Sequence, residues 1–393
     1  MRVVELTAYH LRIPLRKTIR HASHTRTDND TLVVRCKLDD GTVGWGEGLP
    51  REYVTGETID STFETLKATN LWTQLGSPFA SLEEAVGIVD RFAVASVGSN
   101  GRDCFGNAAR CAVELAFLDA AGRACDKPLS AVTNLIGESV GIRKSQDRVR
   151  YSGAITSMGR IREWIRAWKL RLNQFHQTKV KVGVEGVNDT ASLASIRRVL
   201  GKDVDIRIDA NEAWTCENLE QHLAPLMPFN ITSLEQPVPH EDVDGLAAVR
   251  ARISTPIMLD ESLCSLSDAQ RAIERGTCDL FNIRLSKCGG FLPSLHIAAL
   301  AHRAGLGYQL GCQVGETGIL SAAGRHFASS VDGIRYLEGS FDRYLVKEPL
   351  TIEDLTFGYR GFAPALAGPG LGVTIDEAAI ARTTARQEVW TLD

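Results

Sequence analysis

TKVKVG (178–183), DIRIDAN (205–211), ITSLEQP (231–237), TPIMLDE (255–261) and DLFNIRLSK (279–287) are short apolar runs that each close on charged or polar residues. Each is followed by enough chain for one helix of amphipathic spacing. On either side the rhythm continues in YSGAIT at 151, LGYQLGCQ at 306 and IRYLEG at 334. Eight such runs predict a (β/α) barrel over 149–346, because parallel neighbours need a crossover long enough to hold a helix. The structural rival is an open doubly wound sheet. It normally has fewer strands and often a Gly-rich phosphate loop after the first, and no such loop follows YSGAIT.

Further outward, VVELTAYHLRI, TLVVRCKLDD and TVGWGEG read as a small antiparallel meander. From about Thr62 the pattern becomes helical, as in AARCAVELAFLDAAGRA. Strands followed by helices predict an α+β capping domain over 1–135. The Gly- and Pro-containing tail, 347–393, reads as a segment returning to that cap. The expected fold class is thus α/β: a barrel with an α+β N-terminal cap.

Composition narrows the function. With 44 Lys and Arg against 48 Asp and Glu, the net charge of −4 supplies no polycation to release counterions from nucleic acid. No stretch reaches the ~18 apolar residues of a membrane span. Glu5, His10 and Arg12 break the first apolar run, so it does not read as a signal peptide, and a cytoplasmic protein is expected. The nine cysteines are odd in number and form no Cys-x-x-Cys pair, which reads as reduced thiols.

Asp209, Glu235 and Asp260 close three successive runs at spacings of 26 and 25 residues, one strand-loop-helix unit each. They are expected side by side at the C-terminal mouth of the barrel. Such carboxylates repel unless a cation holds them, and all-oxygen ligation favours a hard ion, Mg²⁺ with Mn²⁺ as the alternative. Each acid alone reads equally well as the N-cap of the next helix. The set, in register with lysines, does not. Lys179 and Lys181 sit two apart on one strand and so share a face. Lys287 follows Asp260 by 27 residues. A metal and a second ammonium nearby would lower a lysine's pKa toward neutrality, as general-base work requires. The plainer reading of these lysines is that they reach solvent at strand ends or pair with the acids.

Lys-x-Lys, then Asp, Glu and Asp on successive strands, then Lys before Gly-Gly, together with WGEG in the cap, resembles the muconate lactonizing enzyme subgroup of the enolase superfamily. The resemblance spans nearly the whole chain. It implies Asp209, Glu235 and Asp260 as Mg²⁺ ligands, Lys181 and Lys287 as acid/base groups on opposite faces of the substrate, and Lys179 beside the enolate oxygens. The mandelate racemase branch instead carries a His at the end of the seventh strand, where this chain has Cys312. The resemblance also implies a lid made of two cap loops: HASHTRTDND (21–30), with His24 and Arg26, and LPREYVTGET (49–58), with Tyr53 and Thr58. Cys312 and Glu338, at the mouths of strands seven and eight, complete the expected substrate-binding set. TGET is similar to the lid of dipeptide epimerases, which usually carry Asp-x-Asp at the eighth strand where this chain reads LEGSFD.

The expected function is racemisation or epimerisation of an amino acid derivative or dipeptide through an enediolate. Muconate-type cycloisomerisation and syn-dehydration of the succinylbenzoate synthase type use the same residues. A metal-binding barrel without catalysis is disfavoured by the retained lysines. The expected partner is a small carboxylate, with no nucleic acid and no membrane, and the expected assembly is a homo-oligomer.

Overall fold

Alternating apolar side chains lay the first strands side by side. β1 (Val3–Arg20) pairs antiparallel with β2 (Thr25–Leu38), and β2 with β3 (Val43–Gly48). The computed structural model describes residues 1–20, 25–98, 102–157 and 159–392. β1 and β2 run further than the sequence indicates. The segment expected as a loop over 21–30 is strand from Thr25 onward, with Ile19 opposite Arg26. His24 lies outside the described residues.

Two pairings tie the tail to earlier chain. β4 (Arg148–Arg150) pairs with β13 (Phe362–Pro364), and β14 (Thr384–Thr391) adds to the free edge of β1, giving the order β14-β1-β2-β3.

The helix Asn107–Ala124 lies directly on β3. Contact this close depends on Gly44, Gly46 and Gly48, where any Cβ would collide with the helix backbone at Ala120, Ala112 and Ala108. The alternating glycines of VGWGEG therefore serve as a groove for a helix rich in alanine.

Eight strands form the second sheet: β5 (Gly153–Ile155), β6 (Gln177–Lys181), β7 (Asp205–Asp209), β8 (Ile231–Glu235), β9 (Ile257–Leu259), β10 (Leu280–Ile283), β11 (Gly307–Leu310) and β12 (Ile334–Leu337). Each pairs in parallel with its neighbour in sequence. The sheet curls until its edges meet, where the Ser152 N–H donates to the Leu337 carbonyl at 2.8 Å.

Two buried acids of the cap grip the barrel at helix N-termini. Glu47 accepts from the N–H and hydroxyl of Thr317 and from the Leu320 N–H, at the start of the helix Gly318–Ser330. Glu114 accepts from the Leu292 N–H, 2.9 Å, at the start of the helix Phe291–Arg303. It also pairs with Arg110, 2.6 Å, which in turn donates to the Gly289 carbonyl. Unsatisfied N–H groups and the helix dipole both favour a carboxylate there.

Glu114→Ala is expected to lower unfolding stability by about 3–5 kcal/mol, because Arg110 and the Leu292 N–H lose their buried partner. Lys67→Ala, which removes an exposed pair to Glu388, is expected to change it by less than about 1 kcal/mol. Urea unfolding midpoints of the two variants check the contrast.

Candidate active site

Parallel register sets the height of the key side chains. Lys181 lies opposite Asp209, and Asp209 opposite Glu235, so three strand-end residues share one level at the C-terminal rim. Asp260 follows the end of β9 by one residue. Lys179 and Arg207 face each other one level lower and point into the barrel with Lys181 and Asp209.

The chain turns sharply after each acid. Asn211, Glu212 and Gln236 have φ of 43°, 65° and 34°, a left-handed backbone that is strained for residues with side chains. Local hydrogen bonds hold it. The Asn211 N–H donates to Asp209 Oδ1 at 3.1 Å, and its side-chain amide to Glu261 Oε1 at 3.3 Å. Gln236 Oε1 accepts from the Asp260 N–H at 2.8 Å and the Ser262 hydroxyl at 2.9 Å. Gln236 thereby fixes the peptide carrying Asp260 against the strand carrying Glu235.

Cations stand among these carboxylates. Lys179 Nζ is 3.2 Å from Asp209 Oδ2, 3.2 Å from Glu235 Oε1 and 3.0 Å from Glu338 Oε1. Arg207, fully buried, donates to Glu338 and stacks 4.5 Å over the Tyr336 ring. Arg284 contacts Asp260 Oδ2 and lies 3.9 Å from Glu235 Oε1. Burial works to lower the Lys179 ammonium, but Glu235, Glu338 and Asp209 overcome it and raise the pKa well above the ordinary value. The protein's own charges thus push Lys179 away from neutrality, opposite to the sequence-based expectation. Burial raises the Glu235 carboxyl, Lys179 opposes it, and Asp209, Glu338 and Asp260 push it further up.

A hard divalent cation fits this donor set. Asp209 Oδ2, Glu235 Oε2 and Glu261 Oε2 are buried oxygens without a hydrogen-bond donor. The raised Glu235 carboxyl marks negative charge still uncompensated. Among the described residues no three acids, histidines or cysteines already form a cage, since Lys179 bridges Asp209 to Glu235 and Arg284 holds Asp260. An ion taking Asp260 competes with Arg284 for Oδ2.

Of the expected base pair, Lys181 is half-buried at the rim and makes no hydrogen bond or ion pair among the described residues. Lys287 is placed differently from expectation. Its ammonium donates to the Asp260 carbonyl (2.6 Å), Asp260 Oδ1 (2.8 Å) and the Asn282 carbonyl (2.9 Å), which uses all three N–H groups. The reason is that β10 ends at Ile283, and the following turn carries Lys287 beneath Asp260. Arg284 is the cation of this segment that keeps access, its side chain 11% exposed against 0% for Lys287. Sequence reasoning missed Arg284, although it lies two residues after the inward Asn282 and so has the inward parity. It also missed Arg207, two residues before Asp209.

The expected substrate-binding residues divide. Arg26 donates to the Val314 carbonyl at 3.4 Å, on the loop after β11. Tyr53 packs with Val54, Cys104 and Cys264, the last on the loop after β9. Cys312 lies two residues past β11, its thiol pushed up by burial and by Glu316 and Glu338. Glu338 joins the acid–cation cluster through Lys179 and Arg207. Thr58 is corrected: its hydroxyl accepts from the Ser61 N–H at 3.1 Å as the N-cap of the helix Ile59–Ala68, a capping box that uses the side chain structurally.

This geometry has known counterparts. Residues 3–137 match the mandelate racemase/muconate lactonizing enzyme N-terminal domain, and residues 160–379 match the enolase C-terminal domain-like family. The chain belongs to the mandelate racemase/muconate lactonizing enzyme family of the enolase superfamily. It is 29% identical to the N-succinyl-L-Arg/Lys racemase of Bacillus cereus, over 99% of this chain and 100% of that protein. The crystal structure of the same racemase superposes with a TM-score of 0.86 at 26% identity, again over 99% and 100% of the two chains. A dipeptide epimerase from Enterococcus faecalis V583, solved with Mg and L-Leu-L-Tyr, gives 0.80 at 27% identity over 95% and 100%. The enolase-superfamily assignment makes this chain an isomerase. No helix among the described residues is long and apolar enough to cross a membrane.

Lys287→Ala is expected to lower unfolding stability by about 3–5 kcal/mol, since Asp260 and two carbonyls lose a fully buried partner. Lys181→Ala is expected to stay within about 1 kcal/mol of the parent. Equal losses in chemical denaturation would contradict this placement of Lys287.

Proposed function

We propose that this enolase-superfamily enzyme racemises or epimerises a small carboxylate of the amino acid class, an N-acylated amino acid or a dipeptide, by moving its α-proton through an enediolate. The observation that carries the reading is Lys181, an unpaired amine level with Asp209 and Glu235 and one level above Lys179. The racemase and epimerase names of its relatives support the substrate class.

Removing a proton next to a carboxylate creates a second negative charge, which must be met as it forms. Mg²⁺, or Mn²⁺ in its place, held by Asp209, Glu235 and Asp260, would stabilise the developing charge on the substrate oxygens. Lys179 adds fixed positive charge beside the same acids. Lys181 takes the proton on its own face of the α-carbon and returns it there. Arg26 and Tyr53 of the cap sit against the loops after β11 and β9, where the distal part of a substrate would rest.

One observation favours a second reading, syn-elimination with Lys181 as the one acid/base. Two-base transfer requires Lys287 to exchange its contacts with Asp260 and Asn282 for the substrate. A one-base reaction requires no such movement.

Chelation of divalent ions is expected to abolish turnover and added Mg²⁺ or Mn²⁺ to restore it, with Asp209→Asn, Glu235→Gln and Asp260→Asn each weakening metal affinity in titration calorimetry. Full activity in metal-free buffer would sink the proposal.

The reaction itself is tested by proton NMR in deuterium oxide against a panel of N-acylated amino acids and dipeptides. Exchange of the α-proton with inversion is expected for the native enzyme. Lys181→Ala is expected to lower turnover by about 10²–10⁴-fold. If Lys287 serves the opposite face, Lys181→Ala and Lys287→Ala each retain exchange of one stereoisomer, opposite in the two variants. Exchange lost only with Lys181, together with release of an elimination product, decides for the second reading.

A further inference from the structure

The helix Arg160–Leu172, between β5 and β6, is amphipathic on both sides. Its inner face buries Glu163, Ala167 and Leu170 against the barrel. Its outer face carries Ile161, Trp164, Ile165, Trp168 and Leu172, the i, i+3, i+4, i+7 and i+11 positions of a single stripe. A barrel helix facing water needs only the inner stripe. These five side chains are instead exposed, from 38% at Trp168 to 77% at Ile161. Trp164 and Trp168 meet edge to face at 6.0 Å and form a ridge at the centre of the stripe.

The patch continues onto the short helix after β12. Arg166 stacks over Phe341, 5.9 Å, and Phe341 stacks on the exposed Tyr344 at 4.8 Å. At the roughly 200 Å² that a large side chain can bury, the stripe and Tyr344 together present about 650 Å² of apolar surface. That exceeds the about 300–600 Å² of the largest patch on an ordinary monomer. It approaches the about 800 Å² that each partner contributes to a stable interface.

We infer that this face is the contact between two copies of the chain, with the helix Arg160–Leu172 crossing its own symmetry mate about a two-fold axis near the Trp164–Trp168 ridge. A self-complementary stripe suits such a pairing, since the same patch serves both partners and fully buried tryptophans make the strongest contacts. Arg160, Arg162 and Lys169 flank the stripe at its two edges, and crossed helices diverge there, leaving these charges at a hydrated rim. An anionic lipid surface fits less well. The chain as a whole carries −4, which such a surface repels.

The test is sedimentation equilibrium of the full chain at micromolar concentration, alone and with vesicles containing anionic lipid. The native protein is expected at twice the mass of one chain or an even multiple, and Trp164→Glu with Trp168→Glu at a smaller mass. Ile161→Lys and Leu172→Lys change side chains more than two-thirds exposed, so they test the same contact where the fold does not depend on them, and at least a tenfold weaker association is expected for the pair. A monomeric native chain, an unchanged mass in both double variants, or a monomer that floats with the vesicles would each overturn the inference.

Discussion

Carboxylates gathered at one level of a parallel barrel repel one another, and everything else in the site follows from what holds them together. At an effective dielectric near 20, two like charges about 4 Å apart cost about 4 kcal/mol, too much for a marginally stable chain to leave uncompensated. The compensation comes from within. Lys179 stands between Asp209, Glu235 and Glu338, Arg207 backs Glu338, and Arg284 and Lys287 take the two oxygens of Asp260. It remains incomplete, as the raised Glu235 carboxyl and the donorless oxygens of Asp209, Glu235 and Glu261 show. A folded protein that retains surplus buried negative charge is primed for a cation, and for a reaction that generates an anion beside it.

The cap solves a separate problem, that of placing a second domain over the barrel mouth without filling it. Its glycine groove lets the helix Asn107–Ala124 lie close on β3, and two of its acids take hold of the N-termini of barrel helices. These contacts lie beside the mouth. Arg26 and Tyr53 can therefore lean on the loops after β11 and β9 while the anchoring depends on neither. Stability and specificity rest on different residues of one domain, so lid positions can change without loosening the cap.

Much of this was legible in the sequence. The barrel could be read because each strand-helix unit repeats at about 25 residues and every acid ends its run, so that spacing alone forecasts the register that puts Asp209 beside Glu235. The cap strands were legible from alternation. What stayed hidden depends on where a strand stops. Reading DLFNIRLSK as strand to its end sets Lys287 at the mouth, yet the strand stops at Ile283 and the turn redirects it. Thr58 is equally opaque, because a hydroxyl that caps a helix and one that meets a ligand look alike in sequence. The stripe from Ile161 to Leu172 reads as ordinary barrel-helix periodicity until the inner face is seen to be filled by other residues.

The division of labour between Arg284 and Lys287 has the widest consequence for the chemistry. A guanidinium is permanently charged, and the carboxylates around Arg284 raise its pKa further still once they overcome its burial, so it can stabilise an anion but cannot accept a proton. Lys287 can carry a proton only after surrendering three buried hydrogen bonds. The rim therefore presents an available base on the Lys181 side and fixed charge on the side of Asp260. Both cations there are tied to the same carboxylate, so whatever rearranges Asp260 changes them together. Whether the product is an inverted stereocentre or an alkene then depends less on which lysines the sequence retains than on how firmly Asp260 keeps hold of one of them.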